Sequence, residues 1–252
     1  MKPQSTYQEI KPSKELGELV HSFWTHTNLA NEPQETTIFP DSFFKIIFYV
    51  TKGQITNYFM VGLWTEPKEI VIPPKTSSYG CRLKVLAPEF LLNQEVATII
   101  NSLKQLKLTF LNLDKFNLHN FNSIVKQWET EIIKLKPSKQ IQDNKLRLSQ
   151  LLYKKNGSIS ALEVSKQVFW TNRQINRYLN KYLGVSLKKY LNIQKCYESY
   201  IQIRQGFFSP EKDYFDQAHF IKEIIKHTGE TPTTLYKEQN DRFIQLKNIK
   251  RK

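Results

Sequence analysis

Between Thr171 and Gly184 the chain reads TNRQINRYLNKYLG, and Ile175, Tyr178, Leu179 and Tyr182 recur at i, i+3, i+4 and i+7. That spacing gathers them on one stripe of a helix turned toward a core. The opposite face is polar: Asn172, Asn176 and Asn180 follow one another at four-residue steps beside Arg173, Arg177 and Lys181. Thr171 with Gln174 three residues on predicts a capping box, so the helix starts at Thr171 and closes at Gly184. Upstream, the segment from Ile159 to Phe169 carries Val164 and Val168 four apart with the small Ser165 between them, which predicts a second helix crossing closely. Helix, brief turn, helix is the expected unit. Gly229 closes another polar-faced stretch, and the runs GVSLKKY and GETPTTLY after the two glycines mark tandem helical units.

The first half follows a different period. Lys45 to Val50 and Ile55 to Val61 are β-rich runs around a TKGQ turn, and Glu69 to Ile72 and Tyr79 to Val85 are further strand candidates. Helices are expected over EFLLNQEVATIINSLKQL from Glu89 and over FNSIVKQWETEIIKL, with KPSK (136–139) as a linker or helix start. The segment holding His21 and His26 reads as helical or loop-like. The expected fold class is α+β: a small β-rich domain with C-terminal helices over 1–136, and an all-α domain over 137–252 made of two helix-turn-helix-like units joined by a long helix. Phe39, Phe43, Phe44, Phe48, Tyr49, Tyr58, Phe59, Trp64 and Tyr79 crowd the first half. Packing is their default role, and a pocket among them would suit a small, mostly apolar ligand with a polar anchor such as Arg82.

Charge divides the chain at the same place. Residues 1–136 hold 15 Lys and Arg against 13 Asp and Glu, net +2, whereas residues 137–252 hold 22 against 10, net +12. Such an excess on helices suits a polyanion, because each phosphate neutralised releases a condensed counterion. Exposed amides and guanidinium forks on one face can pair with adenine and guanine edges. A ladder of this kind is otherwise a plain solvated face, and charge distribution tips the reading toward DNA. Cys81 and Cys196 fit no metal spacing and are expected to be free thiols. His21 and His26 form the closest histidine pair and lack the clustered carboxylate that a metal oxygenase needs. No phosphate-cradling glycine loop or nucleophile with a partner is present, so neither catalysis nor a cofactor is expected. The start MKPQST carries no apolar signal region and the longest apolar run is Ile46 to Val50, which points to a soluble, cytoplasmic protein without a membrane partner.

These residues resemble the DNA-binding domain of AraC-type transcription regulators. SISALEVSKQVFWTNRQINRYLNKYLGVSLKKYL is similar to its first helix-turn-helix, and DYFDQAHFIKEIIKHTGETPTTLY to its second recognition helix and closing motif. The likeness spans about Gln140 to Tyr236; the early KPSKELGELVHSFWTH and FPDSFFKIIF resemble the family's small β-rich sensory domain. The resemblance implies recognition helices in successive major grooves, about 34 Å apart, with residues 187–204 as the connecting helix. It places DNA contacts at Arg173, Asn176 and Arg177, with Thr171 and Asn172 near the backbone, and in the second unit at Gln217, Ala218, His219 and Lys222. It implies double-stranded promoter DNA as partner, and an N-terminal half that forms a homodimer, binds a small-molecule effector, or does both. Three departures stand out, one being Ile224 and Ala218 in place of bulkier or more polar residues common in the family. Phe169 occupies the place of a turn glycine, and only GFFSPEK lies where the second unit's supporting helix belongs, so that helix is expected to be truncated or absent. The rival reading is a non-specific nucleic-acid binder using the same basic face.

Overall fold

The computed structural model describes residues 5–135, 140–209, 214 and 216–237. The first half is built on a six-stranded antiparallel sheet from β1 (Ser5–Ile10), β2 (Val20–Asn28), β4 (Phe44–Thr51), β5 (Gln54–Val61), β7 (Thr76–Leu83) and β8 (Leu103–Gln105). Their spatial order is β1-β2-β7-β4-β5-β8, and β3 (Gln34–Ile38) pairs with β6 (Lys68–Ile72) in a separate ribbon. Side chains alternate across the large sheet as a period of two requires. In β4, Phe44, Ile46 and Phe48 enter the main core, while Lys45, Ile47 and Tyr49 face a cavity on the other side. Both faces are buried, which is why KIIFYV reads as a continuous run rather than an alternating one.

Eight helices follow among the described residues: α1 (Ala87–Phe90), α2 (Phe121–Leu135), α3 (Asp143–Lys155), α4 (Ala161–Val168), α5 (Asn172–Leu183), α6 (Leu187–Arg204), α7 (Gln217–Thr228) and α8 (Pro232–Lys237). The α+β class, the strand pair around the TKGQ turn, α2, α4, α5 and α6 agree with the sequence expectations. The KPSK segment lies outside the described residues.

Two expectations are corrected. The His21 and His26 segment is neither helix nor loop but β2, a central strand paired with β1 and β7. Buried on both faces, it shows no polar alternation. The helix expected from Glu89 to Leu106 is broken into α1, a single 3-10 turn at Ala97–Ile99 and β8. Asn93 and Asn101 adopt left-handed φ values of 48° and 53°, which a helix cannot pass through. The backbone is satisfied elsewhere: Gly62 N–H donates to Ser102 O at 3.1 Å and Leu106 N–H to Tyr58 O at 2.8 Å. Tertiary strand pairing overrides the helical period there.

A single apolar cluster runs from Leu16 through Trp128 to Leu191, so the sheet's core and the buried stripes of α3, α4, α5 and the start of α6 are continuous. A chain of hydrogen bonds crosses the join. Val85 N–H donates to the Tyr153 hydroxyl at 2.9 Å, Tyr153 and Tyr190 are 2.9 Å apart, and the Tyr190 hydroxyl donates to Ser42 O at 3.1 Å. Because Tyr190 spends its proton on the carbonyl, Tyr153 must be the donor between the two phenols. Burial raises both phenol pKa values, which keeps the protons in place. Lys145 and Glu89 add an ion pair at 2.7 Å, and Val96 N–H donates to Tyr182 O at 3.0 Å.

Candidate nucleic-acid interface

The helix pair is assembled by local chemistry. Ser160 caps α4, its hydroxyl accepting from Glu163 N–H, and Thr171 caps α5 in a reciprocal box with Gln174. Each cap satisfies N–H groups that the first turn leaves open. Between them, Phe169 takes the left-handed conformation at φ 58° and ψ 34°, the geometry a glycine would adopt without strain, and remains 75% exposed. The Ser165 hydroxyl donates to Trp170 O, tying the turn back to α4. Trp170 packs half-buried against Tyr178, with ring centroids 5.7 Å apart, so it fills the join between the helices. Ile175, Tyr178, Leu179 and Leu183 are buried, Tyr182 is half-buried, and Gly184 ends the helix at φ 76° with its N–H donating to Leu179 O and Asn180 O.

Thr171, Asn172, Arg173, Arg177, Asn180 and Lys181 are all exposed on the far face. Lys181 lies 3.9 Å from Glu95 with both side chains about half exposed, a contact of little energetic weight. Asn176 differs from its neighbours. Its amide nitrogen donates to Asn172 O at 2.8 Å, and its oxygen accepts from Leu187 N–H at 2.9 Å. The second bond satisfies an N–H in the first turn of α6, where Ser186 is the cap. Asn176 therefore sets α6 against α5, a role that a helical-spacing argument cannot reveal because its partner lies beyond the Gly184 turn.

In the second unit Asp216 caps α7, its carboxylate accepting from His219 N–H at 2.7 Å. Gln217, Ala218, His219 and Lys222 are exposed, and the His219 ring meets Tyr214 edge-on with centroids 5.7 Å apart. Phe220 and Ile224 are buried with Tyr200, Ile203, Leu235 and, from the first half, Phe39. The described residues between Arg204 and Gln217 form turns and bends without a helix. Phe215 of the FDQAHF motif and the terminal KNIKRK lie outside the described residues.

Arg82, the anchor expected in the first half, lines a cavity between the large sheet and the β3–β6 ribbon. It is joined there by Asp41 and Lys45, which the sequence reading missed. Lys45 inside the apolar run FFKIIF was the available signal, since a lysine is rarely buried unless paired. Its ammonium meets Asp41 at 2.7 Å, and burial lowers the lysine pKa against the pull of that carboxylate. Among the described residues no group of three His, Cys, Asp or Glu is placed to hold a metal ion, and no helix is long and apolar enough to cross a membrane.

Residues 8–104 match the family model described as "Domain of unknown function (DUF6597)". Solved structures similar to the chain include ToxT from Vibrio cholerae, 11% identical with a TM-score of 0.40, covering 98% of this chain and 98% of that one. Another is an unsaturated fatty acid bound wild-type ToxT from Vibrio cholerae, 10% identical with a TM-score of 0.38, covering 94% of this chain and 97% of that one. No curated protein matches the chain.

Proposed function

We propose that the chain is a cytoplasmic, sequence-specific DNA-binding transcription regulator of the AraC type, with double-stranded promoter DNA as its partner. One observation carries the reading: the outer face of α5 is exposed and polar from Thr171 to Lys181, on a capped helix whose inner stripe is buried. A face so held presents side chains in fixed directions, which base reading requires and bulk attraction does not. Arg173 and Arg177 reach base edges, Thr171 and Asn172 the sugar-phosphate backbone, while Asn176 holds α6 in place. Gln217, His219 and Lys222 on α7 address the neighbouring groove. The first half acts as the regulatory part, through pairing of two copies or an effector.

Footprinting on genomic fragments tests the reading. A regulator protects a defined promoter segment, whereas a coating protein binds competitor DNA almost equally well. Arg177→Ala is expected to lose about 1–3 kcal/mol of discrimination at one base pair. An equal loss on scrambled DNA would assign Arg177 to phosphate, and indifference to sequence throughout would favour the non-specific binder.

A further inference from the structure

The cavity between the large sheet and the β3–β6 ribbon has a volume of about 90 Å³. At ~10–15 Å³ per water it has room for on the order of six to nine non-hydrogen atoms, the size of one substituted ring. Its walls are mostly apolar, with Ile47, Val61, Ile72, Trp64 and Tyr49 among them, and Trp24 lies so close over Gly80 that a Cβ there would meet the indole at 2.1 Å.

One end is charged and incompletely bonded. Arg82 Nη1 donates to the Tyr7 hydroxyl at 3.1 Å and lies 3.3 Å from Glu9, and Lys45 is paired with Asp41 through Oδ1. The remaining oxygen, Asp41 Oδ2, and the remaining donor, Arg82 Nε, stand 3.7 Å apart, and neither has a hydrogen bond. The indole Nε1 of Trp24 is also without an acceptor. Asp41 is 2% exposed and the Arg82 side chain 11%, so leaving these atoms open is costly.

We propose that this cavity binds a small neutral monocyclic phenol, its hydroxyl seated between Arg82 Nε and Asp41 Oδ2. A hydroxyl accepts from the guanidinium and donates to the carboxylate at once, which no purely accepting group can do. Charge selects in the same direction. Arg82 and Lys45 are already balanced by Glu9 and Asp41, so a carboxylate ligand would bring an unmatched negative charge into a buried site. The aromatic lining accommodates a ring in stacked or edge-on contact. This site stands apart from the DNA reading, because its occupancy is measured on the free protein.

Titration calorimetry of the full chain with p-cresol, p-toluate and toluene tests the assignment. Saturable 1:1 binding of p-cresol is expected, at least about ten-fold tighter than either of the others, the worth of one hydrogen bond to a charged group. Val61→Trp fills the cavity and abolishes binding while the melting transition persists. Asp41→Asn removes the negative partner and shifts preference from p-cresol toward p-toluate. Equal affinity for p-cresol and toluene, a preference for p-toluate in the native protein, no saturable binding of p-cresol, or unchanged binding in a folded Val61→Trp variant would each overturn the proposal.

Discussion

The two helical units of the second half solve one problem differently. The first, α4 and α5, combines local caps on both helices, a three-residue turn and four buried side chains on α5 with packing into the main core. The second presents α7 on a small cluster to which the first half contributes Phe39, tilted against Tyr200 of α6 at 5.1 Å between centroids. No supporting helix appears among its described residues. A unit whose caps and turn are local and whose stripe joins the main core has its outer face held by both. A unit that borrows a core side chain depends on the borrowed residue's own loop, and that loop, from Phe39 to Phe43, also carries Asp41 at the cavity and Ser42 beneath Tyr190.

Removing the borrowed side chain should separate the two units most sharply. Phe39→Ala is expected to cost about 3–5 kcal/mol of stability, with amide exchange accelerated in α7 and α8 well before α4 and α5. Uniform loosening of both units would refute the distinction. Asn176→Ala sharpens it from the other side, since it strands Leu187 N–H and should cost ~1–3 kcal/mol in denaturant titrations. If Asn176 instead touched bases only in a complex, stability of the free protein would be unchanged.

Acid should weaken the join of α3 to the sheet. His21 packs at a tilt against Phe43, which in turn stacks on Tyr153 of α3, and burial, reinforced by Lys11 and Arg82, pushes its pKa down to about 3. The unfolded chain therefore takes up this proton first, near pH 6.5, so the group's contribution is intact above that pH and lost as pH falls toward 3. The expected slope is at most about 1.4 kcal/mol per pH unit from His21. His21→Gln should flatten melting curves between pH 6 and 4 relative to the native chain, and His227, also lowered by burial, adds to the background in both. The smallest effect belongs to the strained turn: Phe169→Gly relieves a left-handed φ at an exposed side chain and should stabilise by up to ~1 kcal/mol. A loss of stability would mean that the contact of Arg147 with the Phe169 ring, at 5.1 Å, outweighs the strain.

Legibility followed the range of the interactions. The α5 cap, its buried stripe and the Gly184 stop are decided within about four residues of each other, and the sequence displays all of them. The helix anticipated from Glu89 failed because Asn93 and Asn101 turn the chain and β5 supplies partners for residues distant in sequence. For β2 the obstacle was burial on both faces, which erases the alternation that marks a strand. At the candidate interface the exposure of Arg173 and Arg177 followed from helical period and the placing of Gln217 and Lys222 from the family resemblance, whereas the attachment of Asn176 to α6 followed from neither.

By itself the sequence determined the α5 helix with its Thr171 cap and Gly184 stop, the strand pair around the TKGQ turn and which half carries the positive charge, because the first two depend on neighbours within a turn or a pleat and the last on composition alone. Only the tertiary structure decided that Arg82, Asp41, Lys45 and Glu9 meet beside one cavity, that Phe39 serves the second unit, and that the halves share a core. Those outcomes turn on desolvation and on which distant groups complete each other's hydrogen bonds, and such pairings are settled only when the chain has closed on itself.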